Sequence, residues 1–381
     1  MVKLLASLSA LFLFSNVVAL PWGLTIQRPF QLGAKDFGLR LISTSEDSPP
    51  VWMTELQIQF LRIRGKKFMD VTDSQDFNPQ LFSIERPVIP KEASHKDEVK
   101  SLINNLAIDG MKLALTKFSS FHNRYYKSKY GAQSAAWLYS QVKEIAEAGP
   151  TNVTVAKFEH EWDQFSIIAQ FPGTSHNASE EIVIVGAHQD SVNMWFPSQG
   201  RAPGADDDGS GTVTTLEAFR VLVEAGFAPE RTVEFHWYSA EEAGLLGSQA
   251  VSRAYRKSSK RVAGMLQNDM TGWVGKQESF GVVNDYTDKE LTSLIKRLIE
   301  AYAAIPWRDT TCGYACSDHG SWAKVGYASA FAFESKFEDS DPYIHSTSDT
   351  MDRLSFNHMK EFAKLSVAFA VEMGYSQEKV E

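Results

Sequence analysis

The stretch Ile182-Val-Ile-Val-Gly-Ala-His188-Gln-Asp190 decides the fold: an apolar run that stops abruptly at two polar residues able to do chemistry. Runs of this kind are strands buried on both faces, as in a parallel sheet covered by helices on either side. Working outward, strand-like runs recur at Val153 to Phe158, Ser166 to Phe171, Glu181 to Ala187, Thr232 to Tyr238, Val262 to Gln267 and Ala328 to Phe333. Helix-like segments at Thr212 to Glu224, Ala243 to Arg256, Lys289 to Ala303 and Phe356 to Glu372 fall between or after them. Upstream, Val99, Leu102, Ile103, Leu106, Ile108, Met111, Leu113 and Leu115 recur near helical spacing, and Ala135 to Ala146 repeats the pattern. The expected fold is α/β, with a mostly parallel central sheet flanked by helices.

In such sheets ligands gather where loops leave the carboxyl ends of the strands, and the polar clusters of this sequence fall there. His188 is suited to bind a metal, with Asp190 taking its other ring N–H; a hydrogen-bonded structural histidine is the alternative. Gly204-Ala-Asp206-Asp207-Asp208-Gly-Ser-Gly211 precedes the helix-like Thr212 to Glu224. Three adjacent carboxylates repel one another unless a cation, a helix N-terminus or solvent relieves them, and the spacing lacks the alternation of an EF-hand. After Thr232 to Ala240 come Glu241 and Glu242, where one carboxylate can hold a metal and its neighbour can act as general base; favourable placement at a helix start explains them equally well in isolation. Asp269 follows the next strand, and His345 lies in Ile344-His345-Ser-Thr-Ser-Asp349. Together they form a nitrogen and oxygen donor set suited to catalytic zinc.

The N-terminus begins with Lys3, the apolar stretch Leu4 to Phe14 and the small-residue end at Val18-Ala19. It is expected to be a signal peptide spanning 1–19, because the run is shorter than the roughly 20 apolar residues of a membrane span. Residues 20–90 are mixed and charged, with Pro49-Pro50, Gly65-Lys66-Lys67 and Pro87-Val-Ile-Pro90; they are expected to be a pro-segment that assists folding or blocks the site. Residues 91–381 form the catalytic domain on this reading. In a secreted chain the only two cysteines, Cys312 and Cys316, are expected to pair, free thiols or an incomplete metal cage being the alternatives. Asn152-Val-Thr154 and Asn177-Ala-Ser179 are glycosylation sequons. With 43% hydrophobic and 22% charged residues over 381 positions, an ordinary globular chain is expected. A net charge of −9 without a basic stripe argues against nucleic acid, and no later run is long enough to span a membrane.

From about Ala93 to Tyr375 these motifs resemble the M28 family of metallopeptidases, whose fold is of the zinc-exopeptidase, phosphorylase/hydrolase-like kind. They are His-x-Asp at 188–190, Gly-Ala-Asp-Asp-Asp at 204–208, Glu-Glu at 241–242, Asp269 and His345. The resemblance implies two zinc ions per chain bridged by Asp207, with His188 and Asp269 completing one ion's ligands and Glu242 and His345 the other's. It further implies Glu241 as general base for a bridging hydroxide, Asp190 as the partner of His188, a cis peptide bond after Asp207, a Cys312–Cys316 disulfide and Tyr314 as an oxyanion donor. The implied activity is secreted, extracellular aminopeptidase action on peptides with a free N-terminus, by a monomer. Met270, Phe333, Phe337 and Ile344, near the ligands, are candidate walls of an apolar pocket favouring residues such as Leu; core packing is the alternative. A one-zinc glutaminyl-peptide cyclotransferase and an inactive binding protein are the rival readings, and the full ligand set speaks against both.

Overall fold

A computed structural model of the chain describes residues 34–375 apart from 76, 79, 80 and 82–84. The expected signal peptide at 1–19 and the first part of the 20–90 segment lie outside the described residues.

Among the described residues the first strands and helix are β1 (Arg40–Ser43), β2 (Val51–Met53), α1 (Glu55–Ile63) and β3 (Met69–Asp70), and the three strands make a small antiparallel sheet of order β2-β1-β3. α1 starts where Thr54 accepts a hydrogen bond from the Gln57 amide, while the Gln57 side chain accepts from the Thr54 amide. That reciprocal pair satisfies donors a helix start leaves unpaired. Three helices follow, α2 (Lys96–Ile103), α3 (Ile108–Ser120) and α4 (Lys129–Ala148), and then the main alternation: β4 (Thr154–Phe158), β5 (Ser166–Phe171), β6 (Glu181–His188), α5 (Gly211–Glu224), β7 (Thr232–Tyr238), α6 (Leu246–Lys257) and β8 (Arg261–Asn268). The described residues go on through β9 (Phe280–Val283), α7 (Lys289–Tyr302), β10 (Trp307–Thr310), α8 (His319–Lys324), β11 (Ser329–Phe333) and α9 (Phe356–Gly374).

The eight-stranded sheet has the order β10-β9-β11-β8-β6-β7-β5-β4. Its centre, β11-β8-β6-β7, is parallel, so four carboxyl ends open on one side. β5 runs antiparallel to both β7 and β4, and β9 antiparallel to β11, so the mostly parallel expectation holds at the centre and gives way toward both edges. Successive residues of a strand face opposite sides. Along β6, Val183, Val185 and Ala187 join Phe219, Leu222 and Val371 in the larger core, whereas Ile182 and Ile184 face Val251, Tyr255 and Trp322. Helices therefore seal both faces, α5 and α9 on one and α6 and α8 on the other.

Pro87, Ile89 and Pro90 are buried, and the Val88 carbonyl accepts from Arg231 Nη2 at 3.0 Å, so the end of the 20–90 segment joins the main core. Among the described residues no helix is long and apolar enough to cross a membrane.

Candidate metal centre

Strand ends place the donors. His188 is the last residue of β6, Glu241 and Glu242 follow β7, and Asp269 follows β8. Asp207 lies in the turn Ala205–Ser210 that leads into α5, and His345 in the loop before α9. Ala240 before Glu241, Met270 after Asp269, and His345 itself all adopt left-handed backbone, with φ of 58°, 59° and 58°. Such conformations are uncommon for non-glycine residues and persist where surrounding structure imposes them; here they turn the chain sharply enough to aim side chains back across the strand ends.

Asp207 is the centre of the arrangement. Its Oδ1 lies 3.1 Å from His188 Nε2 and its Oδ2 2.9 Å from His345 Nε2. His345 Nε2 is also 2.9 Å from Glu242 Oε2, and His188 Nε2 is 3.4 Å from Asp269 Oδ1 and 3.9 Å from Glu241 Oε2. One ring nitrogen cannot direct a single N–H at two carboxylates at once. Burial alone would lower both imidazoles, but the carboxylates outweigh it: His345 is raised to about 10, by Glu242 and Asp207, and His188 well above its ordinary value, by Asp269 and Glu241. Burial alone would raise Asp207, yet its contacts with both imidazoles pull it well below the carboxylate range. Glu241 moves the other way, held well above that range by burial against the opposing pull of His188, and Glu242 is raised by burial and by the charge of Asp207.

The residues fit a metal. Among the described residues, His188 Nδ1 and Nε2, Glu242 Oε1 and Asp269 Oδ1 are buried without a hydrogen-bond partner, a costly state for polar atoms unless a cation engages them. Two groups of donor atoms lie within 4.8 Å of one another: His188, Asp208 and Asp269, and Asp207, Glu242 and His345. Asp208 is already committed, since Oδ2 accepts from the His188 amide at 3.0 Å and Oδ1 from the Gly211 and Met270 amides at 2.8 and 3.1 Å. Asp207 therefore serves both groups, one oxygen to each. The donors are nitrogen and oxygen, a set suited to zinc at a site open to solvent.

Of the frame around these donors the sequence named Asp190, as the partner of His188, but not the roles of Asp349 and Arg124. Asp349 accepts from the Asp206 amide at 2.7 Å and the Asp207 amide at 3.1 Å. Asp190 stands 3.4 Å from His188 Nδ1, too long for a good hydrogen bond, while its oxygens accept from the Glu241 and Glu242 amides at 2.9 and 3.2 Å. It thus sets the turn that carries both glutamates. Arg124, fully buried, donates from Nε to the Gln189 carbonyl at 2.8 Å and from Nη2 to the Gly204 carbonyl at 2.8 Å, tying the β6 loop to the Asp207 turn. Burial lowers its guanidinium to about 10. The Asp207–Asp208 peptide bond is cis.

A cleft opens over the donors. Met270, Phe333, Phe337 and Ile344, the four candidates for an apolar pocket, line one wall with Phe331 and Cys316. Cys316 is disulfide-bonded to Cys312. Tyr314 is buried against Met69 and Leu245, and its hydroxyl hydrogen-bonds Ser43 Oγ at 2.7 Å, so the N-terminal segment holds it. Asn152 and Asn177 are exposed.

The model of Peptidase family M28 matches residues 166–370. The chain is 48% identical over 337 residues to Leucine aminopeptidase 1 of Fusarium vanettenii, with 85% of each chain covered. It is 49% identical over 337 residues to the protein of the same name from Metarhizium robertsii, covering 85% of this chain and 84% of that one. Among solved structures it is similar to the LapA aminopeptidase of Legionella pneumophila, with a TM-score of 0.75 and 31% identity over 85% of this chain and 89% of that one.

Proposed function

Since the chain belongs to peptidase family M28, we propose that it is a two-zinc aminopeptidase that removes N-terminal residues, preferring large apolar ones such as Leu. The observation that carries the reading is Asp207, whose two carboxylate oxygens face different histidines at 3.1 and 2.9 Å. On this reading His188, Asp207 and Asp269 hold one ion and Asp207, Glu242 and His345 the other. Zinc held there supplies an acidified water as nucleophile and a Lewis acid for the carbonyl oxygen.

The chain's own groups do the rest. Glu241 is half-buried beside the donors without being needed as one, which leaves its carboxylate placed to act as general base. It takes the proton of the attacking water and returns it to the leaving amine. A substrate α-ammonium docked among these carboxylates restricts cleavage to the first peptide bond. The wall of Met270, Phe333, Phe337 and Ile344 takes the first side chain, while Ser340, also on the cleft, leaves room for a long one. Tyr314 donates its hydroxyl to the developing oxyanion, which requires that Ser43 release it.

The reading extends to processing: a signal peptide at 1–19, a pro-segment within 20–90, a catalytic domain over the rest, glycans on exposed Asn152 and Asn177, and a secreted monomer. The disulfide supports an oxidising compartment. Hydrolysis of leucine p-nitroanilide against its N-acetylated form tests the activity, before and after chelation and zinc return, on chain cleaved free of the N-terminal segment. The free-amine substrate alone should be cut, in a chelator-sensitive way that zinc restores. No cleavage at full zinc occupancy refutes the reading.

A further inference from the structure

Tyr314 sits in a short ring of chain closed by the Cys312–Cys316 disulfide. The disulfide joins the two ends of the ring to each other, not to the rest of the molecule. At one end Cys316 is buried in the cleft wall with Met270, Phe331 and Phe333. At the other end Gly313 is exposed, and the anchor is polar. The Cys312 amide donates to Asp285 Oδ1 at 3.1 Å and the Gly313 amide to Asp285 Oδ2 at 2.6 Å. Two successive amides thus converge on one carboxylate, the backbone arrangement that captures anions, and hydrogen bonds to an ionised acceptor are the strong kind.

The next residue grips the side chain itself. The Tyr286 ring stands edge-on to the Tyr314 ring, with centroids 5.0 Å apart and an interplanar angle of 83°. Asp285 and Tyr286 belong to the loop between β9 and α7, and the sheet pins that loop at both ends. The Asn284 amide donates to the Thr310 carbonyl at 3.0 Å and the Asp288 amide to the Ser329 carbonyl at 2.8 Å. Tyr286 adopts left-handed backbone, with φ of 58°, so carboxylate and ring reach the disulfide ring from adjacent positions.

The rest of what surrounds Tyr314 comes largely from the N-terminal segment. Its hydroxyl meets Ser43, and its apolar cluster takes Leu41, Met69 and Val71 from that segment against Leu245 and Tyr286 from the body. Donation to an oxyanion requires Ser43 to let the hydroxyl go, so that hydrogen bond cannot be what aims the side chain during the reaction. We propose that Asp285 and Tyr286 are positioning residues for Tyr314, Asp285 by clamping the backbone on the Cys312 side of the ring and Tyr286 by fixing the plane of the phenol. The inference rests on the aminopeptidase reading and names what aims one of its groups. Neither residue lines the cleft, so both act through Tyr314 and not on the substrate. An oxyanion donor works in the transition state, where losing one costs about 10²- to 10³-fold in kcat. Misplacing it should forfeit part of that factor and leave ground-state binding nearly untouched.

The experiment is a double-mutant cycle on leucine p-nitroanilide, with zinc-loaded protein folded as the full chain and then cleaved free of the N-terminal segment. Asp285→Asn keeps one acceptor and turns an NH2 against the other amide, and Tyr286→Leu keeps an apolar side chain without the ring. Each should lower kcat about tenfold with KM within about twofold. In a Tyr314→Phe background each should lower kcat by less than about twofold, because the group they aim is already gone. Full additive losses in that background overturn the proposal, since a merely structural role costs as much with or without the hydroxyl. Wild-type kcat in both single variants overturns it too, as does wild-type kcat in Tyr314→Phe, and in all three cases the aminopeptidase reading stands. Absence of turnover in the unsubstituted protein refutes that reading and the proposal with it. Amide hydrogen exchange checks the clamp without turnover: the peptide carrying Cys312 and Gly313 should exchange several-fold faster in Asp285→Asn, and unchanged exchange overturns the role of Asp285.

Discussion

Asp190→Asn alters one atom of a buried side chain that touches no substrate, yet the structure assigns it a large effect. Asp190 accepts from the Glu241 amide at 2.9 Å and the Glu242 amide at 3.2 Å, and its Oδ1 lies 3.4 Å from His188 Nδ1. An asparagine keeps one acceptor oxygen, best used toward Glu241 and His188. Its NH2 group then faces the Glu242 amide, donor against donor. The substitution loses one hydrogen bond to a charged group and leaves a buried N–H unpaired, about 3 kcal/mol in all. Because Glu242 is the residue whose backbone loses its anchor, metal affinity should fall by about 10- to 100-fold, as it does when ligand-orienting partners are removed. Urea unfolding of the metal-free protein measures the first quantity, and competition with a chromophoric chelator the second. Activity should fall steeply at limiting zinc and recover in part at saturating zinc. Wild-type zinc affinity together with a wild-type unfolding midpoint would refute the account of Asp190 as the anchor of the Glu241–Glu242 turn.

Glu241→Gln removes the proposed base while keeping shape, and kcat on leucine p-nitroanilide should fall by about 10²- to 10⁴-fold with zinc content unchanged; a surviving kcat sinks the assignment. Phe337→Ala enlarges the apolar wall and should reduce the preference for leucine over alanine p-nitroanilide by about tenfold in kcat/KM, the scale of a small change in apolar contact; an unchanged ratio removes Phe337 from the pocket. In metal-free protein His345 is raised from 6.5 to about 10 by its carboxylate neighbours against the effect of burial. A raised folded-state value means that the folded chain binds more protons than the unfolded one, so stability is fully present below pH 6.5 and is lost as pH rises toward about 10. Denaturation midpoints of the apo protein should decline across that window and those of the zinc-loaded protein much less; a flat apo profile contradicts the ion-paired imidazole.

What the sequence disclosed follows from what burial does to a strand. β6, β7 and β8 are covered on both faces, so Ile182 to Ala187, Thr232 to Tyr238 and Val262 to Gln267 appear as apolar runs, and the polar residue ending each run marks the site. β9 and β10 are four residues long, and Trp307-Arg-Asp-Thr310 is half exposed at the sheet edge, so neither carries a period long enough to detect. The antiparallel turn of β5 left no trace in its residues, because Ser166 to Phe171 is covered much as a parallel strand would be. The frame was hidden for a different reason. Arg124, which lies in no motif, reaches carbonyls of residues 189 and 204, and Tyr314, whose place in Cys312-Gly-Tyr-Ala-Cys316 was legible, meets Ser43 across a separation that no local pattern reveals. Hydrogen bonds of that kind belong to the tertiary fold.

The three consecutive aspartates show why residue type alone could not distinguish their duties. All three are buried, and each carboxylate leaves in its own direction. Asp206 Oδ1 accepts from the Gly272 amide at 3.0 Å, Asp207 faces the two histidines, and Asp208 takes three amides from the ends of β6, α5 and the loop after β8. Glycines at both ends of the turn make this possible. At Gly204, with φ of 52°, a Cβ would lie 2.5 Å from Ser191 Cβ, and at Gly211 one would lie 2.3 Å from Asp208 Oδ1. A side chain at either place would push the turn off the frame that Arg124 and Asp349 hold. Asp208 thus directs both oxygens to backbone amides and Asp206 one of its two, and Asp207, whose own amide is held by Asp349 at 3.1 Å, is left with both oxygens directed outward. A carboxylate so presented between two imidazoles is built to be shared, which is the physical ground for reading one acidic residue as the bridge of a two-metal centre.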